Sequence, residues 1–578
     1  MNDKILIYQI FTRLYGNRNT TRKKWGTITE NGCGKFNDFD QKTLKHLKKM
    51  HFSHIWYTGV IRHATQTDYT DYNIPRQHPA VVKGKAGSPY AIADYYDVDP
   101  DLAEDVDNRM KEFEALVART HKAGLKVIID FVPNHVARQY KSIAKPEGVS
   151  DLGADDNSDQ GFNPQNNFYY CPGCSFDPMF DLRIGIGAGA SETVVPEEEY
   201  NEYPTKATGN DHFDNHPGRN DWYETVKLNY GVDYWTGMGH FEPTPDTWKK
   251  MTDILLFWAS KGIDGFRCDM AEMVPPAFWA WATEKVKFCY PDIIFIGEVY
   301  DPNKYRRYVN SGFDYLYDKV GMYDTMRAAI CGYGPARNIT YAWQASNDIK
   351  EHMLYFLENH DEQRIASDFF AGSARKAIPG LVASALMQSN PFMLYAGQEY
   401  GERGMDEEGF SGMDGRTTIF DYWSIDSLCR VIDKELTSEE LEIYAIHKKV
   451  LSIARKEKAI DGDFYDLMYV NPSSSRFNQH GQFAFLRKKN HDILLIVCNF
   501  IGNAVDIDVL IPAHAVEFLY LPEKKYSATD LLTGEKQEIT IKSNGTVRMT
   551  IQAYSARIWK LSHRQNKETS NGKSNTNR

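Results

Sequence analysis

Short apolar runs that each stop on a charged or polar side chain recur through this chain, separated by stretches of helical periodicity. Nothing else limits its fold so much. In Gly262-Ile263-Asp264-Gly265-Phe266-Arg267-Cys268-Asp269-Met270, a glycine ends a helical stretch over 251–261 and a short strand then closes on Arg267 and Asp269. Ile293 to Gly297 ends on Glu298, and Met353 to Leu357 ends at Glu358-Asn359-His360-Asp361. Core packing gives no reason for an acid after each apolar run, because an unpaired buried carboxylate costs several kcal/mol. Three carboxylates at three strand tips are the pattern of a site, and an α/β barrel presents reactive groups at those tips.

Eight strands are predicted, over 5–11, 54–59, 126–132, 263–269, 293–297, 313–317, 353–357 and 392–396, with helices between most of them. Right-handed crossovers close such an alternation into a parallel sheet or barrel, and eight units fit a (β/α)8 TIM barrel. Residues 60–103 read as a long loop, too long for a mere connection. From 136 to 233 the alternation fails in text rich in Asn, Asp, Gly, Pro and Tyr, which predicts an irregular domain B inserted after strand 3. Beyond about 461 the helical period gives way to β-type runs, which predict a C-terminal antiparallel β domain. The expected division is 1–135 and 234–458 for the barrel, 136–233 for the insert, 459–562 for a β-sandwich and 563–578 for a polar, disordered tail.

The net charge of −11 and the lack of a basic stripe exclude a nucleic-acid partner. No run has the 18 or so apolar residues of a membrane span, and the first strand is too short and polar for a signal peptide core. The chain is expected to be cytoplasmic as it stands, and periplasmic or secreted if a signal peptide was removed before the numbering begins. Its eight cysteines include one close pair, Cys171-Pro172-Gly173-Cys174, which reads as a loop rather than a metal or redox site.

Four stretches together resemble the α-amylase family, glycoside hydrolase family thirteen, over residues 1–560. They are Asp130-Phe131-Val132-Pro133-Asn134-His135, Gly265-Phe266-Arg267-Cys268-Asp269, Gly297-Glu298-Val299 and Glu358-Asn359-His360-Asp361, in the family's order. A fifth, Val226-Lys227-Leu228-Asn229, is similar to the neopullulanase and cyclomaltodextrinase branch, and to the neopullulanase type of bacterial starch-utilisation systems.

The resemblance implies Asp269 as nucleophile, Glu298 as general acid/base and Asp361 as a third carboxylate gripping the sugar's 2- and 3-hydroxyls. Arg267 lies on the same strand face as Asp269 and is expected to keep it ionised, while Glu298 has to hold a proton for the leaving oxygen. His135 and His360 are implied to bond the same glucose unit, with Tyr90 stacked beneath it, Asp94 as a supporting acid and Arg364 tying the Asp94 side together. Calcium is the implied cofactor, near Asn134, with Asp155, Asn157 and Asp159 at hard-oxygen spacing. Lys35 stands where the family's other metal loop would carry an acidic ligand, and a fixed ammonium there replaces an ion's charge.

Three functions follow from these readings. The first is a retaining hydrolase of α-1,4 glucosidic bonds, with α-1,6 bonds left open as a further target, in maltodextrin, pullulan or cyclodextrin, with an α-glucan as partner. A 4-α-glucanotransferase on the same residues is the second. A non-catalytic glucan-binding protein is the third, and the presence of all three carboxylates speaks against it.

Overall fold

The structure, a computed structural model, describes residues 4–182, 199–404, 412–474 and 476–562. The expected tail, 563–578, lies outside the described residues.

Eight parallel strands close into a barrel: β1 (Leu6–Phe11), β2 (His54–Thr58), β3 (Lys126–Phe131), β4 (Gly265–Cys268), β5 (Ile294–Gly297), β6 (Tyr315–Tyr317), β7 (Met353–Phe356) and β8 (Phe392–Tyr395). Neighbours in sequence are neighbours in space, and β1 closes the ring by pairing Leu6 with Phe392 and Ile7 with His54. Side chains alternate along each strand. Ile7, Trp56, Ile128, Ile296, Leu354 and Met393 pack together in one cluster, while Leu6, Tyr8, Ile55, Ile129 and Phe266 join the larger core that the helices cover. Arg267 is therefore an inward residue on β4, flanked in register by Asp130 and Ile296.

Four of the covering helices are α1 (Gln41–Lys49), α2 (Arg109–Lys122), α3 (Asp246–Ser260) and α4 (Pro276–Cys289). The buried face of α3 carries Trp248, Met251, Leu255 and Trp258 at three- and four-residue spacing, each contributing roughly 1.5–3 kcal/mol by burial. It starts earlier than the stretch over 251–261 predicts, because Pro245 sits at its N-cap. Gly262, at φ +83, then turns the chain into β4.

The stretch 60–103 holds more order than a loop. Ile61–His63 pairs antiparallel with Ile92–Val98, and the buried Arg62 binds Asp94 at 3.1 Å and Asp97 at 3.4 Å. Among its described residues the insert after β3 is mostly irregular, with two short antiparallel ladders. His135–Ala137 pairs with Thr225–Lys227, and Tyr170–Cys171 with Thr205–Lys206. The first ladder seats both ends of the insert beside the barrel mouth.

The C-terminal strands form a six-stranded antiparallel sheet, in the order Asp463–Asp466, Gln482–Lys489, Asp492–Asn499, Ser555–Ser562, Lys524–Asp530, Lys536–Ile541. A separate pair joins Val505–Ile511 to Gly545–Ile551. The buried Arg487 donates to the Met387 carbonyl at 2.9 Å and ties this sheet to the barrel. Among the described residues no helix is long and apolar enough to cross a membrane.

Candidate active site

At the C-terminal mouth of the barrel one buried guanidinium gathers the carboxylates. Arg267 Nη1 donates to Asp269 Oδ1 at 2.7 Å and reaches Asp130 Oδ1 at 3.5 Å. Its Nη2 stands 2.8 Å from Glu298 Oε2 and 4.0 Å from Asp361 Oδ2. The three carboxylates expected at strand tips are thus brought together. Backbone pairing places them there, since Asp269 N donates to the Phe131 carbonyl and Glu298 N to the Cys268 carbonyl. The faces of Trp56, Tyr90 and Tyr317 surround the guanidinium at 5.3, 5.4 and 5.5 Å, so the cation is held by rings as well as by acids.

The acids differ in their surroundings. Glu298 accepts from the Met270 amide at 2.7 Å and from the Tyr300 hydroxyl at 2.7 Å, besides facing Arg267. Burial pushes the Asp269 carboxyl well above the ordinary aspartate range; Arg267 opposes this, and Glu298 and Asp361 add to it. At Asp361 burial also raises the carboxyl, but His360, Arg267 and Arg416 outweigh it and leave it below the ordinary range.

His360 and Tyr90 complete one wall. Gln9 Nε2 lies 2.7 Å from His360 Nδ1, and His360 Nε2 lies 3.0 Å from Asp361 Oδ2. The Tyr90 hydroxyl is hydrogen-bonded to the same Nε2 and lies 3.5 Å from Asp130. His135 packs against Trp222 with ring centroids 5.2 Å apart, and burial lowers its pKa to about 3, so the ring is neutral.

A cavity of about 270 Å³ opens beside these groups, lined by Asp269, Glu298, Asp361, Tyr90 and His135. The catalytic-domain profile of the α-amylase family matches residues 9–459, which takes in all of them. The chain belongs to the α-amylase family. It is a glycoside hydrolase.

Among α-amylase relatives, Alpha-amylase 3 of Dictyoglomus thermophilum is 26% identical over 64% of this chain and 67% of its own. The trehalose-6-phosphate hydrolase of Bacillus subtilis is 21% identical over 96% of this chain and 98% of its own. The α-amylase of Geobacillus thermoleovorans, solved with acarbose, superposes with a TM-score of 0.61 at 18% identity, covering 97% of this chain and 99% of that one.

Of the residues implied by the α-amylase resemblance, Arg267 and His360 stand behind the cavity's carboxylates, while Asp94 and Arg364 neither line it nor bind those carboxylates. Asp94 is fully buried in the Arg62 ion pair and also accepts from Ser142 Oγ at 2.6 Å and the Ile143 amide at 2.8 Å. Arg364 binds Glu358 at 2.9 Å, Thr417 at 2.8 Å and the Ala396 carbonyl at 3.0 Å, over the face of Tyr395. It has no contact with Asp94; both are ties within the framework beneath the site.

The implied calcium ligands do not fit an ion. The Asn134 side-chain oxygen accepts from the Lys227 ammonium, and its amide donates to the Gly209 carbonyl at 2.7 Å. Asp155 accepts from the Ser150 hydroxyl, and Asn157 Oδ1 accepts from the Asp159 amide at 3.1 Å. Among the described residues no group of three or more His, Cys, Asp or Glu is arranged to hold a metal. Calcium needs about six to eight oxygens, and this set offers no such cage. Lys35 does act as a fixed cation, donating to the Asp101 carbonyl at 2.6 Å and the Ala103 carbonyl at 3.0 Å.

Further residues line the cavity without having been picked out from sequence: Lys83, Trp222, Glu224, Tyr300, Ile419 and Phe420. Lys83 and Glu224 form an ion pair at 2.9 Å that joins the stretch after β2 to the insert. Tyr300 is the one with a sequence signal, two residues past Glu298 and so on the same side of an extended strand tip.

Proposed function

We propose that the chain is a retaining α-glucan hydrolase of the neopullulanase type, acting on α-1,4 glucosidic bonds, with α-1,6 bonds as the alternative target, in maltodextrin, pullulan or cyclodextrin. The observation that carries this reading is the single guanidinium holding Asp269 and Glu298 on its two terminal nitrogens. A retaining path needs the two carboxyls about 5 Å apart, and a shared guanidinium favours that close spacing over the roughly 6.5–9.5 Å that admits an attacking water.

Asp269 attacks the anomeric carbon and forms a glycosyl ester as the glycosidic bond breaks. Glu298 gives its proton to the leaving oxygen, then takes one from the water that hydrolyses the ester, so both acids return to their starting state. Asp361 accepts hydrogen bonds from the 2- and 3-hydroxyls with His360 beside it, and these strengthen as the ring flattens. Tyr90 supplies a stacking face and the neutral His135 a hydrogen-bonding edge. A transfer reaction uses the same acids, and the Trp222, Tyr300 and Phe420 rings in the cavity wall favour it by offering faces for an acceptor sugar.

Incubation with pullulan and with maltohexaose, followed by sugar chromatography, tests the reading. Panose, isopanose or maltotriose from pullulan identifies the bond cut, and products longer than maltohexaose assign transfer. No product from either substrate refutes the proposal.

A further inference from the structure

The Lys227 side chain is buried where the insert meets the barrel, and its ammonium faces oxygens from three separate segments. Asn134 Oδ1 comes from the turn after β3. Asp211 Oδ1, 2.6 Å away, lies on a loop of the insert. The Met273 carbonyl, 3.4 Å away, belongs to the turn after β4. An ammonium has three N–H donors, so donors and acceptors match one for one. A calcium ion would ask for about six to eight oxygens, and a buried cation left unmatched is costly.

We propose that Lys227 is the built-in cation of this junction, taking up the Asn134 oxygen that the implied calcium would need, and that it positions His135 and Glu298. The connections are short. His135 follows Asn134 directly, and Met273 lies on the same turn as Met270, whose amide donates to Glu298. Pulling the three segments onto one point charge fixes the insert wall of the cavity against the β4 tip. Lys35, with its two carbonyl partners, repeats the device on the opposite side of the barrel sequence, between the stretch after β1 and the stretch before α2.

Thermal melting of the full-length protein tests this without recourse to activity. The wild type is expected to melt at one temperature in excess EDTA and in millimolar calcium. Lys227→Met, which keeps the stem and removes the charge, is expected to lower Tm in both media and to lower kcat/KM at least about tenfold through misplacement of the site. Lys227→Arg is expected to recover part of kcat/KM. Lys227→Asp adds an oxygen to those of Asn134, Asp211 and Met273, and is expected to gain a calcium-dependent rise in Tm that the wild type lacks. A wild-type Tm that EDTA lowers and calcium restores would overturn the proposal. So would a Lys227→Met protein equal to wild type in Tm and kcat/KM, or a folded Lys227→Asp protein indifferent to calcium. Should Lys227→Asp fail to fold, the wild-type and Lys227→Met measurements decide alone.

Discussion

Arg267 and Asp269 stand two residues apart at the end of β4, with Nη1 2.7 Å from Oδ1, while the other terminal nitrogen of the same guanidinium lies 2.8 Å from Glu298. One buried cation thereby sets the spacing of two acids. Arg267→Lys keeps a charge but loses the fork, and is expected to lower kcat by about 10²-fold or more. Arg267→Ala leaves buried carboxylates unpaired and is expected to cost roughly 3–5 kcal/mol of stability as well. Steady-state kinetics and urea unfolding check the two in turn.

The raised Asp269 carboxyl fixes the sign of a pH effect. The attacking group has to be ionised, so kcat/KM is expected to fall as pH drops through that raised pKa, placing the acid limb above the ordinary aspartate range. Asp361 contributes to the rise, so in Asp361→Asn the residual activity, measured with an activated aryl glycoside, should show its acid limb at lower pH. An acid limb that does not move would count against the shared field.

Glu399, in the turn after β8, predicts a stability effect far from the chemistry. It accepts from the Tyr8 hydroxyl at 2.6 Å, and burial raises its pKa to about 7 from an ordinary 4.5. The unfolded chain therefore releases this proton first as pH rises. The fold loses stability across about pH 4.5 to 7, by roughly 3 kcal/mol at the plateau. Glu399→Gln is expected to remove that slope, and the difference in Tm between pH 5 and pH 8 should shrink.

Asp94 separates framework from site. Asp94→Ala leaves Arg62 short of a buried partner, and a loss of roughly 3 kcal/mol is expected. The folded fraction should keep its KM, since the side chain does not line the cavity. A raised KM at unchanged stability would place Asp94 in sugar binding instead.

These cases show what the sequence made legible. The barrel was readable because each strand is a short apolar run with its own boundary, and a residue two before Asp269 must share its face. The carboxylates at the tips were readable for the same local reason. Asp94 and Arg364 were not, because a motif does not reveal whether a buried charge points to a cavity or to an opposite charge; Arg62 and Glu358 decided it. Trp222 and Glu224 come from irregular text with no period to place them. Asn134 was found, but its partner is an ammonium ninety-three residues away in a neighbouring strand, a contact that spacing does not report.

The stereochemistry of the first product tests the central claim most directly. Proton NMR of maltohexaose during the first turnovers should show the α-anomer of the new reducing end before mutarotation, with Asp269→Asn abolishing the signal. Initial β-anomer would mean that a water attacks between more widely spaced acids, and would contradict the account.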